Sequence, residues 1–98
     1  MDLATDPDRY ERLALDWLFA EITQLLRELK SAAVDDETRR VVAGNYLFGL
    51  TCRLDGSEGP GTTELCFADG PRVLRNGGAL SLHDYVLGTV DQIIEDET

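Results

Sequence analysis

Ninety-eight residues with a 43% hydrophobic share suit one small domain with a core of its own, and a second domain is not expected. Nineteen acidic against nine basic residues give a formal charge of −10. That balance argues against nucleic acid or an anionic membrane, both of which reward Lys and Arg, and it fits a basic protein partner as well as plain solubility.

The two cysteines, Cys52 and Cys66, are too few for a disulfide framework. No run approaches the roughly 18 apolar residues of a membrane span. Residues Met1 to Asp6 carry no basic stretch of the kind that opens a secretion signal, so a cytoplasmic location is the expectation.

Asp6 followed by Pro7 reads as helix cap and first helical residue, and Asp8 and Glu11 suit the positive end of a helix dipole. Leu15, Leu18, Phe19, Ile22, Leu25, Leu26 and Leu29 recur at three- and four-residue steps, which predicts a long helix over about residues 7–33. Tyr10, Leu13, Ala14 and Trp17 add a second apolar strip on another side of that cylinder. Such a strip calls for cover, either from the rest of the chain or from a second copy. A homodimer built on Tyr10, Leu13 and Trp17 is one way to supply it.

Asp35 and Asp36 ahead of Glu37–Val42 predict a short second helix ending near Gly44, with a strand over residues 36–43 as the alternative. From Tyr46 the pattern reads as alternation: Tyr46, Phe48, Leu50, Cys52 and Leu54 face one way, with Leu47 as the exception. Asp55–Gly61 is dense in turn formers and would close a hairpin onto Thr63, Leu65 and Phe67. Asp69–Gly70 turns the chain again into Arg72–Arg75, with Pro71 marking an edge position. Ser81 then caps a C-terminal helix over about residues 82–96, buried through Leu82, Val86, Val90, Ile93 and Ile94. The expected architecture is α+β: two helices, a three-stranded antiparallel meander, and a last helix packed on one sheet face.

No catalytic constellation emerges. His83, the only histidine, sits beside Asp84 at a helix start, where neighbours do not face each other. Alternation puts Cys52 inside and Cys66 outside, so they cannot form a disulfide. With one histidine they do not make a zinc site either, and no metal or cofactor is expected. Gly56–Gly61 and Gly77–Gly78 lack the lysine and spacing of phosphate loops.

The acids Glu95, Asp96 and Glu97 crowd the negative end of the last helix, from Leu80 onward without a Lys or Arg. They are the candidate docking residues for a basic partner. The reading that follows is a noncatalytic protein-binding module of the inhibitor, immunity, antitoxin or chaperone type. Two others compete with it. One is a small-ligand sensor with a pocket between sheet and first helix near Tyr46, Phe48 and Trp17. The other is an enzyme working through carboxylates and Arg53, Arg72 or Arg75.

Overall fold

The computed structural model describes residues 2–55, 64–77 and 80–97. The fold is α+β, as expected, and the predicted strand Arg72–Arg75 is present, but the sheet is mixed and residues 46–54 are not one of its strands. In chain order the elements are β1 (Asp2–Thr5), α1 (Pro7–Ser31), α2 (Asp36–Leu54), β2 (Phe67–Asp69), β3 (Arg72–Arg75), a 3-10 turn (Leu82–Tyr85) and α3 (Val86–Asp96).

α1 begins as predicted. Asp6, in extended conformation, accepts the Arg9 backbone N–H at 3.3 Å, and Pro7 occupies the first turn. The helix stops at Ser31 because Ala33 turns left-handed, with φ of 62°. Val34 N–H then bonds Leu29 O and Ala33 N–H bonds Lys30 O, the pattern that satisfies the last carbonyls of a helix.

The two-sided apolarity of α1 is one winding stripe. Tyr10, Ala14, Leu18, Ile22 and Leu26 are all buried. A four-residue step advances about 40° around the cylinder beyond a full turn, so the buried direction rotates along the helix. The first turns meet Phe67 of β2, against which the Tyr10 ring packs edge-on at 5.4 Å. Farther along, α1 packs on α2 and α3. Phe19, expected in the core, points outward at 55% exposure.

The largest correction concerns residues 46–54, read as a strand and found in α2. Asp35 caps that helix, accepting the backbone N–H and hydroxyl of Thr38 at 2.7 and 3.1 Å. Its buried residues include Ala43, Leu47 and Thr51, with Leu50 partly buried against the core, a helical spacing. Leu47, the exception to alternation, is the residue the helix buries. Tyr46 and Phe48 lie on the exposed side.

The antiparallel meander is likewise replaced. β3 is central, antiparallel to β2 and parallel to β1, in the order β1-β3-β2. Asp69 pairs with Arg72 across a two-residue turn, and Gly70 supplies the positive φ of 62° such turns demand at their first central position. Pro71 occupies the turn itself, which leaves β3 free to pair on both edges. Of the predicted hairpin, Gly56–Gly61, Thr62 and Thr63 lie outside the described residues, as does Gly78.

The predicted C-terminal helix is present with its expected buried face, but it opens with a 3-10 turn and Ser81 makes no side-chain cap. Before it, buried Asn76 clasps Leu80 from both sides. Its Nδ2 donates to Leu80 O at 2.7 Å, and its Oδ1 accepts Leu80 N–H at 2.8 Å.

Gly49 lies inside α2 with nothing within 4 Å of an added methyl group. Glycine in a helix interior costs about 0.5–1 kcal/mol relative to alanine. Gly49→Ala is therefore expected to stabilise the fold by that amount. The thermal midpoint should rise by roughly 4–8 °C per kcal/mol, measurable by circular dichroism.

Candidate functional site

The C-terminus of α3 sits against the one buried guanidinium among the described residues. Arg39, in the first turns of α2, has a 0% exposed side chain. Its Nη2 donates to Glu97 Oε2 at 2.6 Å and to Asp36 Oδ1 at 2.8 Å, and its Nη1 donates to Leu26 O at 3.1 Å. Lys30 Nζ stands 3.8 Å from the same Glu97 oxygen. Arg39 Nε has no partner among the described residues. The hydrogen bond from Arg39 holds the Glu97 carboxyl below the usual range, with the Arg39 and Lys30 charges adding to it. α3 carries no base in its last turn, so α1 and α2 supply the positive charge its C-terminus needs.

Glu95, Asp96 and Glu97 accordingly part company. Glu97 is bound into the Arg39 network. Asp96 accepts Gln92 Nε2 at 2.9 Å within α3 and lines a cleft shared with α1. Glu95 is exposed and continues, at helical spacing, the row begun by Leu87 and Asp91.

That row borders the seam between α2 and α3, which pack closely where α2 has no side chain: a Cβ on Gly44 would lie 3.0 Å from Leu87 Cδ2. Arg40 Nε and Asp91 Oδ1 approach to 2.8 Å across the seam, an ion pair whose N–H is not aimed for a hydrogen bond. Val41 and Phe48, seven residues apart on α2, share one face. Val41, Phe48 and Leu87 are 52%, 40% and 55% exposed. The result is an apolar strip with Asp84, Asp91 and Glu95 beside it.

His83 closes one end of the seam. Its backbone N–H and ring Nδ1 lie 3.0 and 2.7 Å from the same oxygen of Asp55, whose side chain is 5% exposed. A carboxylate at Nδ1 fixes the ring's orientation and its tautomer. Nε2 is 3.4 Å from Asp84 Oδ1, and the Phe48 ring meets the imidazole edge-on at 5.6 Å. Carboxylates thus flank both ring nitrogens, and the ring ties the 3-10 turn to the end of α2. Reading neighbours in sequence missed the Asp55 contact. The two residues are 28 positions apart, and Asp55 had the look of a turn residue.

Tyr10 is buried, and its hydroxyl donates to Leu65 O at 2.7 Å. Leu13 and Trp17 are partly buried against the same core, so the chain itself covers much of this strip. The pocket expected near Tyr46, Phe48 and Trp17 is not where it was placed, since Tyr46 and Phe48 lie on the outside of a helix. Cys52 is buried in α2 and Cys66 is exposed, and no disulfide joins them. That outcome was expected, although from a strand register that does not exist.

Arg72 bonds Asp69 and Asp6, and Arg75 bonds Glu64. Glu64 also accepts the backbone N–H groups of Asn76 and Gly77. These half-exposed pairs fasten the sheet to its surroundings. Among the described residues no group of three or more His, Cys, Asp or Glu side chains is placed to hold a metal ion, and no helix is long and apolar enough to cross a membrane. No family model matches the chain, and neither does any curated protein or solved structure.

Proposed function

We propose that this chain is a noncatalytic protein-binding module that receives a basic amphipathic helix of a protein partner along the seam of α2 and α3. One observation carries the reading: Val41, Phe48 and Leu87 form an exposed apolar strip with the acids Asp84, Asp91 and Glu95 alongside. An amphipathic helix lays its apolar face into such a strip, anchored at intervals of three and four residues. Lys or Arg at its margins would meet the acidic row, which steers encounter and rejects acidic competitors. The formal charge of −10 extends the same selection over the whole surface.

The test uses a photo-crosslinking amino acid at exposed Val41. The full chain is expected to trap a basic protein of the native host through a helical segment. Yield should fall as salt rises, because exposed charges are screened over about 8–10 Å near physiological ionic strength. Leu87→Asp should abolish trapping, and because Leu87 also packs over Gly44, its circular dichroism spectrum checks that the fold is kept. An acidic partner, or undiminished trapping by Leu87→Asp, overturns the proposal, as does the absence of any trapped protein.

A further inference from the structure

The opposite flank of α3 faces α1 across a cleft of about 210 Å³, lined by Phe19, Thr23, Arg27, Ile93, Asp96 and Glu97. Phe19, Thr23 and Arg27 follow one another at four-residue steps along α1, so they form one wall. Two features of this wall lack an internal explanation. Phe19 leaves a large ring exposed. Arg27 forms no ion pair with any described residue. Across the cleft, Asp96 spends Oδ1 on Gln92, while Glu97 is engaged by Arg39.

We infer that this cleft binds a small zwitterion, an α-amino acid with an apolar side chain. Its carboxylate pairs with the Arg27 guanidinium, a fork suited to two parallel hydrogen bonds. Its ammonium group goes to Asp96, the carboxylate of the cleft not taken up by Arg39. The ligand's side chain lies between Phe19 and Ile93. Charged groups of both signs that converge beside apolar side chains fix a small ligand's orientation. A ligand of one sign alone would leave either Arg27 or Asp96 facing an unmatched charge.

The experiment is an amide NMR titration of the full chain with L-leucine at millimolar concentration, with L-leucinamide and isocaproate as analogues lacking the carboxylate and the amine. L-leucine is expected to give saturable shifts confined to the cleft's two helices. Each analogue should bind at least about tenfold more weakly, the loss expected of one charged hydrogen-bonded contact. Arg27→Gln and Asp96→Asn should each weaken L-leucine by a similar factor. Both residues are exposed, so the variants should keep the native spectrum, which the same data check. The inference is overturned if L-leucine gives no saturable shift. Analogues that bind as well as L-leucine, or variants that retain its affinity, overturn it equally. The seam between α2 and α3 plays no part in this titration, so its outcome is independent of the partner-binding proposal.

Discussion

Arg39→Ala is expected to destabilise the fold by about 3 kcal/mol, within the range for breaking a buried ion pair from one side. The alanine loses the packing of the long stem and leaves Leu26 O and the Glu97 carboxylate without their donor. Denaturant titration measures the change. Arg39→Met, which restores apolar volume but not charge, should recover part of the loss. A variant as stable as the parent would show that the network contributes nothing.

The same network sets the response to acid. Asp36 and Glu97 both have carboxyls held below their ordinary values by Arg39. A group depressed in the folded state contributes stability above its unfolded pKa, near 4 for carboxylates. That contribution is lost as pH falls through the folded value. The parent should therefore lose stability below about pH 4 more steeply than Arg39→Met.

Tyr10→Ala is expected to be at least as damaging, about 3–5 kcal/mol. The ring is fully buried, packs edge-on against Phe67 and holds Leu65 O, so its loss opens a cavity where α1 meets the sheet. Tyr10→Phe keeps the packing and should lose only about 1 kcal/mol for the hydrogen bond. Burial, with the nearby acids Cys66, Asp55 and Glu64 adding to it, pushes the Tyr10 phenol up to about 12. A raised acid pKa means that the folded state holds its proton longer. This stabilisation is complete below about pH 10 and lost as pH rises toward 12. Absorbance titration should find one late-ionising tyrosine that Tyr10→Phe removes.

Local chemistry made α1 legible from sequence: Asp6, Pro7 and the buried residues each act within a few positions of one another. The turn at Asp69–Gly70 and the buried face of α3 were legible for the same reason. α2 was not. Its outer face carries Val41, Val42, Tyr46 and Phe48, so apolar residues surround the cylinder and the period blurs; β-branched and aromatic types then favoured a strand. Leu47 held the contrary evidence. β1 has only four residues, and its partner Arg72–Arg75 is remote, so no local signal exists. The acids at the end of α3 looked adverse because their compensation comes from Arg39 and Lys30 on other helices, and the His83–Asp55 contact was hidden by the same kind of distance.

Parallel pairing of residues 2–5 with 72–75 also bears on the order of assembly. The chain between them must be gathered before the pairing can form, and closing so long a loop is entropically slow. α1, α2 and the β2–β3 hairpin rest on nearer contacts and precede it. Until β1 arrives, the outer edge of β3 stands open as a template for another chain's strand. Residues 2–5 thus form a latch over that edge, expected to close last on folding and to release first on unfolding.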